Sequence, residues 1–167
     1  MSLAIVYTRA ALGIEAPLIT IEVHLSSGLP GLTMVGLPET TVKEARDRVR
    51  SALINSGYAF PAKKITINLA PADLPKEGGR YDLPIALALL VASEQLNTTR
   101  LNQYEFVGEL ALTGGLRGVP GAIPSAMEAI KAGRRIVVSS DNAAEVGLIG
   151  GSDCLVADHL QQGCAFL

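Results

Sequence analysis

The densest run of groups able to do chemistry is Asp73-Leu74-Pro75-Lys76-Glu77-Gly78-Gly79-Arg80-Tyr81-Asp82, in which five of ten residues are charged. Two readings of it stand side by side. It is either a solvated, flexible connection or an ordered functional loop, since Pro71, Pro75 and a helix-capping Asp82 restrict its freedom. Lys76, Glu77, Arg80 and Asp82 are the candidate functional residues on it, joined by Arg117 from a second Gly-containing loop. Covalent chemistry would need a nucleophile beside a base, and the sequence has no G-x-S-x-G elbow and no S-x-x-K pair. His24 or His159 could serve as a base, but neither lies in a run that also supplies a nucleophile. Phosphate chemistry would need G-x-x-x-x-G-K-[ST], which is absent. The Gly-rich stretch Gly114 to Gly121 reads as tight turns, because its spacing is wrong for a cradle and Pro120 lacks an amide hydrogen.

Metal chemistry is equally poorly provided for. Cys154, Cys164, His24 and His159 are the whole soft-ligand set and form no CxxC or HExxH pattern, so no metal site is expected. Both cysteines read as buried, reduced thiols. With 14 basic and 16 acidic side chains the net charge is −2, so no global field draws the chain to nucleic acid or an anionic membrane. Residues 39–64 are the one basic stretch. Arg46, Arg48, Arg50, Lys63 and Lys64 there are candidates for weak DNA contacts, although Glu44 and Asp47 interleave with them and a solvated helix face is the plainer reading. The ten-residue apolar run Leu83 to Ala92 falls well short of the roughly 20 residues of a membrane span. Met1 to Tyr7 lacks a basic start and a cleavage-like site, so no signal peptide is expected and the location should be cytoplasmic.

The elements that must position these residues follow from periodicity. Ile19 to Leu25 and Lys64 to Leu69 alternate apolar and polar residues, as half-buried strands do, with His24 on the polar phase. Leu3 to Tyr7, Leu32 to Val35, Tyr104 to Leu110, Arg135 to Val138 and the run after Cys154 are further strands. Thr41 and Glu44 match a capping box for a helix stopped by Gly57, carrying Glu44–Arg48 and Lys43–Asp47 pairs outside. Asp82 should cap Leu83 to Leu96, a helix apolar nearly all round and therefore buried. Pro124 to Ala132 and Asp158 to Cys164 complete the helices. These elements predict one α+β domain with a mixed sheet over residues 1–167.

Three long segments carry a specific resemblance: GLPGLTMVGLPETTVKEARDRV at 28–49, NLAPADLPKEGGRYDLPIA at 68–86 and GELALTGGLRGV at 108–119. In family order and spanning essentially the whole chain, they resemble the ComM/YifB family, magnesium-chelatase-like AAA+ ATPases, as its N-terminal domain in a gammaproteobacterial member. The family's Walker motifs would follow residue 167, so the AAA+ ATPase domain is expected outside this chain. The resemblance implies a fold similar to the Lon proteolytic domain, that of ribosomal protein S5 domain 2, with a mixed sheet and packed helices. It also implies a cytoplasmic, hexameric, ATP-driven motor that migrates branches of recombining DNA and is linked to natural transformation. ATP and Mg2+ would belong to the full-length protein and DNA would meet its ring, while this segment takes no cofactor and no metal of its own. Its partners would be its own AAA+ domain and other protomers, and no membrane.

Lon-type peptidases use a Ser nucleophile in P-K-D-G-P-S-A-G and a Lys base on a later G-G-L-K segment. Pro75-Lys76-Glu77-Gly78 resembles the first half, which sets Arg80 at the nucleophile position. The second segment sets Ile123 at the base position, with Ser125 two residues beyond it. Arginine cannot be acylated and isoleucine cannot take a proton, so a non-catalytic accessory domain is expected. The alternatives are residual hydrolase activity and a chelatase-like accessory role.

Overall fold

The computed structural model describes residues 2–149 and 153–167. Its centre is a seven-stranded mixed sheet in the order β3-β4-β2-β1-β5-β8-β9. The strands are β1 (Leu3–Arg9), β2 (Leu18–Ser26), β3 (Gly31–Val35), β4 (Lys64–Ala70), β5 (Tyr104–Phe106), β8 (Arg135–Ser139) and β9 (Cys154–Ala157). The β1-β2 and β2-β4 pairings are antiparallel, and the other four are parallel. A separate two-stranded ribbon joins β6 (Glu109–Leu110) to β7 (Leu116–Arg117). The expected mixed sheet with packed helices is present.

Alternation in the first strands sends one set of side chains inward. Ala4 and Val6, Ile19, Ile21 and Val23, and Ile65, Ile67 and Leu69 are buried, while their neighbours are more accessible. On the outer face Glu22 and Asn68 are directly opposite, and the Asn68 amide donates to Glu22 Oε1 at 2.7 Å. The inward set packs beneath α3 (Asp82–Ala92), which lies against β1, β2 and α2 (Ala45–Asn55). Ten of the eleven α3 residues are buried, as its all-round apolar sequence demands. β8 lies between β5 and β9, with Val137 in the α3 core. Ile136 and Val138 point to a second core beneath α4 (Ala122–Lys131) and α5 (Ala143–Val146). That sandwiching explains why Ile136, Val137 and Val138 are apolar on both faces.

Several expectations need correction. Thr41 lies inside α1 (Thr40–Lys43) and does not cap it; its Oγ1 accepts from the Gly78 amide at 2.9 Å. Glu44 is the junction between α1 and α2, so the capping box does not form. Asp82 is the first residue of α3, not its cap, and the helix ends at Ala92 because Glu94 turns to φ 62°. The strand expected over Tyr104 to Leu110 splits after Phe106. Gly108 there accepts from the Leu83 amide through its carbonyl and donates its own amide to Arg80 O. α4 begins two residues before Pro124. The final helix, α6 (Leu160–Ala165), is capped by His159, whose Nδ1 accepts from the Gln161 amide. Cys164 is buried, but Cys154 is only half-buried. Glu44 and Arg48 pair at 4.0 Å; Lys43 and Asp47 make no ion pair among the described residues.

Candidate functional site

The charged run between β4 and α3 is ordered, because it zips onto the segment that leads into α1. The Lys76 amide donates to Leu37 O and the Glu39 amide to Lys76 O, with Gly78 held by Thr41. Gly36 makes this close approach possible. Its φ is 105°, and a Cβ there would lie 2.1 Å from Leu69 O, so no side chain fits. The Gly36 carbonyl accepts from Lys76 Nζ at 2.6 Å, and Pro71 O accepts from the same ammonium. Lys76 is fully buried, its charge meets carbonyl oxygens with no carboxylate bonded to it among the described residues, and burial lowers its pKa. The loop is therefore not the solvated connection that one reading allowed, although Asp73 and Glu77 stay exposed.

Arg80 is the hub. It is 4% exposed, and its Nε donates to Arg9 O at 2.8 Å. Nη1 donates to Pro120 O at 2.6 Å and Nη2 to Ser125 Oγ at 3.0 Å. Three neutral acceptors from β1, the β7–α4 loop and α4 are thus fixed by one guanidinium. Burial pulls its pKa down, but an arginine stays protonated. Tyr81 beside it is also buried, and its phenol is pushed up to about 12 by that burial.

Asp82 turns away from its own helix. Its carboxylate accepts from Arg48 Nε at 2.6 Å and Nη2 at 3.1 Å, and from the Leu110 amide at 3.1 Å. It ties α2, α3 and β6 together. Burial pushes its pKa from 3.8 up to about 6, while Arg48 and the Leu110 amide pull it back. A folded-state value above the unfolded one means that the native state binds this proton more tightly. The group's contribution to stability is fully present below about pH 4 and is lost as pH rises through 6. Urea unfolding across pH 4–8 should therefore show a falling component between 4 and 6 that Asp82→Asn removes. Arg48→Met, which deletes the downward pull, should extend that fall above pH 6.

Arg80 and Tyr81 line a cleft of about 430 Å3. Leu12 of the β1–β2 turn, Glu39, Thr41, Glu77, Glu109 and Arg80 line it. Arg117 lies next to it on β7, directly opposite Glu109 and exposed. Ile123 stands half-buried in the first turn of α4, two residues from Ser125. Of the residues singled out in the sequence, Glu77 and Arg80 line the cleft and Lys76 and Asp82 lie outside its lining, while Glu39 and Glu109, which line it, and Arg9, whose carbonyl holds Arg80, were missed. Their contacts with the loop span distances in the chain that no local pattern encodes. The Ser125 oxygen beside Arg80 accepts from a guanidinium, a permanent cation and not a proton acceptor.

The Gly-rich stretch is folded into turns with its amides engaged. Gly114 donates to Ala111 O, Gly115 to Thr113 Oγ1, Leu116 to Asp158 O, Gly118 to Asp141 Oδ2 and Val119 to Asn142 Oδ1. Of the candidate DNA contacts, Arg46, Arg50, Lys63 and Lys64 are exposed, whereas Arg48 is committed to Asp82. His159 Nε2 lies 3.1 Å from Thr113 O; with Nδ1 accepting a bond, it serves as a clasp. Among the described residues, no group of three His, Cys, Asp or Glu is placed to hold a metal ion, and no helix is long and apolar enough to cross a membrane.

Comparison with known proteins adds the family. The model described as subunit ChlI of Mg-chelatase matches residues 21–142. The chain is 78% identical over all 167 residues to the uncharacterized protein YifB of Escherichia coli strain K12, covering 33% of that protein. It is 59% identical over the same length to the competence protein ComM of Haemophilus influenzae, again 33% of that protein. An uncharacterized protein of Mycobacterium tuberculosis strain H37Rv is 39% identical over 154 residues, 92% of this chain and 31% of the relative. The chain therefore spans about a third of the length of the curated relatives it matches.

Proposed function

The chain belongs to the family of the Mg-chelatase subunit ChlI, and from that premise we propose that it is a non-catalytic accessory domain of an ATP-driven, ring-forming motor. On this reading the domain has the Lon-peptidase-like arrangement of ribosomal protein S5 domain 2, with its hydrolytic centre disarmed. ATP and Mg2+ are handled by the AAA+ part of the longer protein, in the cytoplasm. The motor acts on recombining DNA, in keeping with a relative named for competence. The domain's own work is to meet its AAA+ part, neighbouring protomers and, through the ring, DNA.

The observation that carries this reading is Arg80. It is buried and donates to the oxygen of Ser125, and by the resemblance to Lon-type peptidases it stands at the nucleophile position. A cation donating to that oxygen cannot accept its proton, and Ile123 offers no base. Incubation with casein and a fluorophosphonate serine probe should give neither cleavage nor labelling above a Ser125→Ala control. Labelling that depends on Ser125 would favour a surviving hydrolase.

A further inference from the structure

A second concavity shares no lining residue with the cleft. It is a groove of about 290 Å3 between α2 and the segment entering β4. Arg46 and Arg50 reach it from successive turns of α2, at the i,i+4 spacing that puts them on one face. Lys63 reaches it from the opposite wall, and Phe60, Leu32 and Ile54 supply apolar surface. Among the described residues, no acidic one lines it. Several other cations are engaged: Arg9 and Arg134 with Glu105, Arg48 with Asp82, Lys131 with Glu128, and Arg80 with its three acceptors. Lys43, Lys64 and Arg117 have no side-chain hydrogen bond or ion pair among the described residues but do not line this groove. Arg46 and Lys63 have no side-chain hydrogen bond or ion pair among the described residues. Arg50 has only the Phe60 ring, 5.8 Å from its guanidinium carbon.

Three uncompensated cations converging on one groove in a chain of net charge −2 mark a seat for a polyanion. The half-buried aromatic ring narrows the class. A cationic track with an aromatic platform is what a single nucleic-acid strand requires, phosphates against the cations and a base against the ring. We propose that this groove seats single-stranded nucleic acid, with Arg46, Arg50 and Lys63 on phosphates and Phe60 against a base. Arg48, which the basic stretch of sequence groups with them, is not part of the seat because Asp82 holds it. With three phosphates neutralised, the logarithm of affinity should fall with the logarithm of salt at a slope of about −2. Binding is then measurable at low ionic strength and about 100-fold weaker after a tenfold rise in salt.

The test is fluorescence anisotropy with a fluorescein-labelled dT12 strand at 20–200 mM salt, with competition by a 12-base-pair duplex and by polyglutamate of equal charge. The expected result is saturable binding at 20 mM salt with the slope above. Arg46→Ser, Arg50→Ser and Lys63→Ser together should abolish the slope and most of the affinity, while Lys131→Ser changes neither. Phe60→Leu should weaken dT12 by about 5-fold or more and leave an abasic 12-mer unchanged. Circular dichroism confirms that each variant is folded. The proposal is overturned if the triple variant binds dT12 like the wild type, or if no saturation occurs at 20 mM salt. It is overturned also if the duplex or polyglutamate competes as well as unlabelled dT12, the last of which would make the groove a site for acidic protein.

Discussion

Replacing Leu87 by Ala is expected to destabilise the domain by about 2–5 kcal/mol. Leu87 has no accessible surface and sits midway along α3, among neighbours buried on every side. The helix separates the inner face of β1 and β2 from α2, so the vacated volume has packed walls all round and no side open to solvent. For a chain of this size each kcal/mol moves the melting temperature by about 2–4 °C. A fall of roughly 4–20 °C in thermal unfolding is therefore expected. A change below 2 °C would mean that α3 is not the centre of the core.

The second large effect concerns the buried ion pair that sequence reading did not anticipate. Glu105 has no accessible surface in β5; it accepts from Arg9 Nε at 2.7 Å, Arg9 Nη2 at 2.9 Å and Arg134 Nη1 at 3.1 Å. Arg9 also donates to Ala16 O at 3.1 Å, and Arg134 lies over the Tyr7 ring at 4.0 Å. Arg9→Met leaves the carboxylate with Arg134 alone, which is itself partly solvated. Breaking a buried pair from one side costs about 3–5 kcal/mol, mainly because a charge remains in a dry site. Adding Glu105→Leu to Arg9→Met removes that stranded charge and should restore much of the loss. Urea unfolding of the two single variants and the double variant closes the cycle, and strictly additive losses would show that the pair is not coupled.

What could be read from the sequence, and what could not, divides along the range of the interactions. The alternating runs at Ile19–Leu25 and Lys64–Leu69 and the all-apolar α3 declared their burial locally. Lys76 did not. Between Pro75 and Glu77 it reads as solvated, and only the folding of residues 36–41 over it buries the ammonium. Asp82 looked like a helix cap because an acid before an apolar run usually is one. Its partner Arg48 lies 34 residues away, and that bidentate bond outcompetes the local one. Thr41 and Glu44 had the spacing of a capping box, but Gly78 claims the hydroxyl and the helix breaks at Glu44. The Arg9–Glu105 contact spans 96 positions and left no local trace. In the candidate site, the sequence marked the loop but left it open between a solvated and an ordered segment, and the two carbonyls and one hydroxyl that turn Arg80 into a hub come from elsewhere in the chain.

The claim that this domain serves a motor without doing chemistry is tested most directly by comparing the longer protein with and without residues 1–167. Hexamer formation, DNA binding and ATPase rate would be measured on the same preparations. An accessory domain predicts that the shortened protein still hydrolyses ATP, within several-fold per protomer, but is impaired in ring assembly or DNA engagement. Loss of all ATP hydrolysis by a folded shortened protein would contradict this account. So would a shortened protein that assembles, binds DNA and hydrolyses ATP like the intact one.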